Sequence, residues 1–201
     1  MRTVTRLYDH RADAVQVVND LEAAGIPHSD ISIVGSNRDD RNGADAADTG
    51  SGAGTGATAG GIIGGGVGLL AGIGLLAIPG VGPVVAAGWL AATLAGAGVG
   101  AVAGAATGGI VGSLTNAGVP ENEANVYAEG VRRGGSLVTV RGADAEVVRA
   151  ETIMDARSPA DWSERDRAYR ASGWDRFNPD APAYTPAQAE LERDRVRTSA
   201  L

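Results

Sequence analysis

The opening of the chain alternates between two hydrophobic periods. Residues 3–8 form a β-prone run. Ala14, Val17, Val18 and Leu21 then fall at i, i+3, i+4 and i+7, the stripe of a helix packed on one side. Asp9 precedes that stripe and offers a carboxylate to the free N–H groups of a first turn. Gly25 stands where a left-handed residue closes a helix, and Pro27 blocks its continuation. Residues 31–35 return to a strand pattern. The reading is strand, helix, strand, with a right-handed parallel crossover.

The same logic recurs near residue 120. Pro120-Glu121-Asn122 opens a helix in which Ala124, Tyr127, Ala128 and Val131 repeat the stripe. Gly134-Gly135 closes it, residues 136–141 read as a strand, and Asp144 caps a last helix carrying Val147, Ala150 and Met154. Neither half buries enough apolar surface to stand alone, so the two are expected to pack together. The predicted class is α+β, a small ferredoxin-like α/β sandwich built from residues 1–48 and 120–156.

Between the halves the polar positions vanish. Residues 49–120 contain no Asp, Glu, Lys or Arg. Gly52, Gly56, Gly60, Gly64, Gly68 and Gly72 recur every fourth residue, and so do Gly88, Ala92, Gly96, Gly100, Gly104, Gly108 and Gly112. That period lays small residues along one ridge of a helix. Glycine costs a helix roughly 1 kcal/mol per residue against alanine, so such a ridge implies compensation by close backbone packing. Repetition on both sides of Ile78-Pro79-Gly80-Val81-Gly82-Pro83 marks a turn. Residues 49–119 are therefore read as a glycine-zipper helical hairpin, with Gly60, Gly64, Gly68 and Gly72 on one arm facing Gly96, Gly100, Gly104 and Gly108 on the other.

Aliphatic residues lie two positions beyond the ridge: Ile62, Leu70 and Ile78 on one arm, Leu90, Leu94, Val102, Ile110 and Leu114 on the other. They need an apolar partner outside the hairpin. Arms over 57–78 and 84–114 would be about 33 and 46 Å long, enough to cross a hydrocarbon core of roughly 30 Å. Three readings are open for the pattern: insertion in a membrane, burial between subunits of a soluble homo-oligomer, or a disordered low-complexity segment. Membrane insertion is the first expectation. Met1-Arg2-Thr3-Val4-Thr5-Arg6 is not followed by an apolar leader, which places the protein on the cytoplasmic side of the inner membrane or in the cytoplasm.

Composition removes several functions. The 201 residues include no cysteine, which excludes disulfides and thiolate chemistry, and all 17 basic residues are arginine. A net charge of −7 opposes nucleic-acid binding, which needs a basic face. Gly54-Thr55-Gly56, Gly66-Val67-Gly68 and Gly98-Val99-Gly100 begin loose dinucleotide fingerprints. They lack the strand–helix context and the acidic residue that binds the ribose. His10 and His28 belong to no metal-ligand spacing, and consecutive side chains in His28-Ser29-Asp30 do not converge as a triad. The expectation is a non-enzyme with no catalytic, metal or cofactor residue.

Residues 157–201 balance 8 Arg against 8 acids and hold five of the eight aromatics. Pro179, Pro182 and Pro186 limit helix length, although residues 187–197 suit a short charged helix. The segment reads as a largely irregular tail in which Trp162, Trp174, Phe177 and Tyr184 could dock a protein partner, since Trp, Tyr and Arg concentrate binding energy.

Thr5-Arg6-Leu7-Tyr8-Asp9-His10, Leu21-Glu22-Ala23-Ala24-Gly25-Ile26 and Asp30-Ile31-Ser32-Ile33-Val34 carry a resemblance. With Asn122-Glu123-Ala124-Asn125-Val126-Tyr127 and Leu137-Val138-Thr139-Val140 they resemble the general stress protein 17M-like domain family over about residues 1–156. That resemblance implies a bacterial general stress protein with no assigned chemistry. The expected mode of action is self-association or partner docking.

Overall fold

In a computed structural model, residues 1–36, 74–78, 81–99, 109–182 and 184–199 are described. The chain runs β1 (Arg2–Tyr8), α1 (Arg11–Ala23), a short 3-10 turn, and β2 (Ile31–Ser36). It continues with β3 (Gly74–Ile78), β4 (Gly82–Gly88), α2 (Trp89–Val99) and α3 (Ile110–Asn116). Then follow α4 (Glu121–Arg132), β5 (Ser136–Gly142), α5 (Asp144–Asp155), α6 (Trp162–Ala171) and α7 (Pro186–Ser199).

The five strands form one sheet in the order β1-β5-β2-β4-β3, antiparallel at every pairing. β1 and β2 are thus parallel to each other but not neighbours. β5 lies between them, registered Val4↔Val140 on one side and Ile33↔Val138 on the other. The two halves of the sequence do pack together, by strand insertion.

Local signals explain most of these boundaries. α1 ends where Gly25 takes φ +81; its N–H donates to Glu22 O, and that of Ile26 donates to Leu21 O. This reciprocal pair satisfies two carbonyls that the last turn leaves open. The N-caps fall one residue away from those expected. α1 is preceded by His10, without a side-chain cap, and α5 by Ala143, whose N–H donates to Glu146 at 2.9 Å. Asp144 is instead the first helical residue, and Asp9 is engaged elsewhere.

Alternation along each strand sorts its side chains to two faces. On one face, Val4, Tyr8, Ile31, Ile33, Val138 and Val140 pack against α1 and α5. On the other, Leu7, Val34, Val84, Ala86 and Leu137 meet α2, α3 and α4. Tyr8 donates its hydroxyl to Met154 O at 2.9 Å, and Tyr127 donates to Thr5 O at 3.2 Å, so both buried phenols are satisfied. The class is α+β, but with helices on both sheet faces. A ferredoxin-like sandwich keeps them on one, and that expectation is corrected here.

The uncharged block departs most from its reading. The turn after Ile78 is present, but it joins strands: β3 and β4 pair from Gly74↔Ala86 to Ile78↔Gly82. The continuous helix expected over 84–114 is replaced by β4, α2 and α3, with residues 100–108 outside the described set. Apolar side chains without charge between them suit a buried strand as well as a buried helix, and contact with the sheet decides. Leu90, Leu94, Ile110, Leu114 and Ile78 are buried in the second core, against the chain's own sheet and α4. Gly60, Gly64, Gly68, Gly72, Gly100, Gly104 and Gly108 lie outside the described residues, and Gly96 falls in α2.

Gly88 shows what one of the periodic glycines does. It ends β4 at φ +88, and a Cβ there would come within 2.1 Å of Ile31 O. The obstruction is backbone of the neighbouring strand, which cannot move aside without breaking the register. Gly88→Ala is expected to cost at least ~2 kcal/mol of stability, combining the unfavourable φ with the clash. A urea midpoint equal to that of the parent would refute this account.

Candidate functional site

The C-terminal residues form helices, not an irregular tail. Asp161 caps α6 with its carboxylate, accepting from the N–H groups of Ser163 and Glu164 at 2.8 and 3.0 Å. These bonds hold its carboxyl below the usual carboxylate range, the hydroxyl of Ser163 contributing most. α7 opens with a capping box: Thr185 N–H donates to Gln188 Oε1 at 2.8 Å, and Gln188 N–H returns to Thr185 Oγ1 at 3.3 Å. Pro186 takes the first helical position, where its missing N–H costs nothing.

Both helices are fastened to the domain. Ala160 N–H donates to Leu7 O at 2.8 Å, extending the β1 edge by one bridge. Arg165 donates to both oxygens of Asp9 at 2.6 and 2.7 Å, which is where the Asp9 carboxylate is used.

The main seam is a buried charge cluster on α4. Glu129 is fully buried and accepts from Arg132 at 2.5 and 2.8 Å and from Arg133 at 2.7 Å. Arg133 reaches on to Glu192 of α7 at 2.6 Å. Its guanidinium carbon sits 4.0 Å above the Tyr169 ring, and that of Arg132 lies 4.8 Å from Tyr184. Burial opposes the charge on Arg133, but Glu129 and Glu192 more than offset it and raise its pKa. Burial pushes the Tyr169 phenol well above its ordinary value.

A groove of about 990 Å³ lies beside this seam, between α3, the start of α4 and the loop after α6. Val111, Thr115, Asn125, Trp174 and Phe177 line it. Asn125 accepts from Phe177 N–H at 3.2 Å and so ties the loop to α4. The Trp174 indole N–H is buried and has no hydrogen-bond partner among the described residues.

The four residues expected to dock a partner face this domain. Phe177 is buried in the second core, and Trp162 packs against it. Trp174 stands edge-on to Tyr169, ring centroids 5.7 Å apart, and Tyr184 stacks with Arg132 and Arg133. Sequence reasoning missed Glu129, Arg132, Arg133, Arg165 and Glu192. The Thr185–Gln188 spacing signalled α7, whereas nothing local signalled pairs separated by 59 and 156 residues.

The remaining candidates take structural places. His10 and His28 are exposed, and Asp30 pairs with Arg141 at 3.4 Å. Glu121 faces Arg176 at 3.6 Å. Among the described residues, no group of three His, Asp or Glu side chains is placed to hold a metal ion.

Comparison with protein families gives one result. Residues 3–78 match the heat induced stress protein YflT domain. That match is consistent with the general stress protein resemblance and supports a general stress protein. It covers a shorter stretch than residues 1–156. Comparison with curated proteins and with solved structures found no match. The YflT match includes β1, α1, β2 and β3 but not β5, the strand that joins β1 to β2.

Two outcomes test the seam and the core. Arg133→Met leaves Glu129 buried with one of its two partners and is expected to cost ~3 kcal/mol. Glu192→Gln keeps a polar partner at the seam and is expected to cost ~1 kcal/mol. Urea midpoints in the opposite order would contradict the seam geometry. The phenols of Tyr8, Tyr127 and Tyr169 are all raised by burial, Tyr127 to about 12. A phenol raised in the fold contributes its full stability below the unfolded pKa of about 10 and loses it as pH climbs through the folded value. Alkaline titration followed at the phenolate absorbance should therefore show these three ionising late and together with loss of circular dichroism. Early ionisation of these three phenols with the fold intact would contradict it.

Proposed function

We propose that the chain is a non-enzymatic general stress protein that acts by self-association, with the uncharged block as its association element. One observation carries the choice between oligomer and membrane. Ile78, Leu90, Leu94, Ile110 and Leu114, the aliphatic positions that a lipid-facing hairpin would need outside, are buried in the chain's own core. The described part of the block thus serves first as domain interior, and its extended strands add to the sheet. Among the described residues no helix is long and apolar enough to cross a membrane.

The non-enzymatic reading is supported by where polar groups are spent. Asp9, Asp30, Glu129, Asp155 and Glu192 each pair with an arginine. The aromatic residues of the C-terminal helices support intramolecular closure, so docking of a separate partner there would require their release. The cytoplasm is the proposed location.

Light scattering of the purified full chain, with flotation against phosphatidylethanolamine–phosphatidylglycerol vesicles, tests this. A discrete multimer that stays below the vesicles is expected. Flotation that resists alkaline carbonate would establish membrane anchoring on the cytoplasmic side instead, and a monomer at all concentrations would remove self-association.

A further inference from the structure

The two edges of the sheet are built differently. β1 carries Arg2 and Arg6, which pair with Glu151 at 3.8 Å and Asp155 at 2.7 Å. Its end is further occupied by Ala160, bridged to Leu7. Charge along the strand and a covering segment are the devices that keep an edge from pairing with another chain. β3, at the opposite edge, has neither among the described residues. Its sequence is Gly-Leu-Leu-Ala-Ile, without charge or proline. One side is paired with β4 across all five residues, and among the described residues nothing pairs with the other.

An unpaired strand edge presents N–H and C=O groups in alternation, and backbone groups of this kind demand partners. Under a twofold axis such an edge is complementary to itself, because an antiparallel copy offers an acceptor for each donor. Charge favours the same partner. Each copy carries a net −7, all of it outside residues 49–120. Two copies approaching along β3 therefore meet through the part of the chain that carries no repelling charge.

We propose that β3 pairs antiparallel with β3 of a second copy, joining two five-stranded sheets into one continuous sheet. The inference rests on the self-association reading and gives it a surface and a symmetry. Association is then isologous and closes at a pair through this edge, since each copy has one β3 and its β1 edge is guarded. Contact requires no rearrangement of the core: the strand is already extended and held by β4.

Charge-swap variants test it. Ala77→Lys and Ala77→Glu place charge on β3 and leave the buried Ile78 unaltered. Like charges on the same face of an antiparallel pair sit within diagonal reach and repel, and opposite charges attract. Sedimentation velocity of each variant alone should show the dissociation constant rising by about tenfold or more. Mixing A77K with A77E should restore association.

Hydrogen exchange on the unaltered chain supplies a second readout. Amides of residues 74–78 should gain protection as protein concentration rises. Concentration-independent exchange there, or variants that associate as well as the parent, would overturn the edge pairing while leaving self-association standing. A parent chain that is monomeric throughout would overturn both.

Discussion

Everything in this domain depends on β5 being inserted between β1 and β2. Those two strands come from one strand–helix–strand unit, yet neither pairs with the other. β1 takes its ladder, and β2 one of its two, from a segment more than a hundred residues further along, registered Val4↔Val140 and Ile33↔Val138. The cost of closing so long a connection grows slowly with length, whereas the ladder on both sides of β5 adds with every residue. That arithmetic explains why a large insertion between the halves is tolerated. The match to the YflT domain ends at residue 78, before β5.

Filling the two faces follows from that insertion. Once β5 is in place the sheet has two apolar surfaces, and α1 and α5 cover only one. α2, α3 and α4 cover the other, two of them drawn from the uncharged block. Lack of charge across residues 49–120 is therefore accounted for, in its described part, by ordinary burial at a protein core. Leu90 and Leu114 are at most 1 % exposed, as a lipid-facing residue of a single chain would not be.

How much of this the sequence revealed differs by region. α1, α4, β5 and the capped turns between them were legible because polar positions punctuate the apolar ones. At Ala14, Val17, Val18 and Leu21 the helix period is unambiguous, and these four are the buried residues of α1. β3 and β4 were not legible. In Gly74–Ile78 and Gly82–Gly88 no polar residue marks an outward face, so period four and period two compete on glycine spacing alone. Gly88 was read as a ridge position for helix packing, whereas its lack of a side chain admits the backbone of Ile31. For the C-terminal helices the local signals were present at Asp161 and Thr185, but the charges that fasten them pair across the chain. Arg133–Glu192 and Arg165–Asp9 have no signature in either neighbourhood.

The seam on α4 has a thermodynamic consequence in one direction only. Arg165 grips Asp9 at the end of β1, and Glu192 grips Arg133, so α6 and α7 have nowhere to dock until β1 and α4 are already in place. The sheet, by contrast, keeps the first core whole and loses from the second only Phe177 and the packing of Ala160 and Trp162 when these helices leave. Release of α6 and α7 ahead of the sheet is the order this dependence favours. Their departure in that order uncovers a pair of arginines beside a buried carboxylate, with the sheet still whole beneath them.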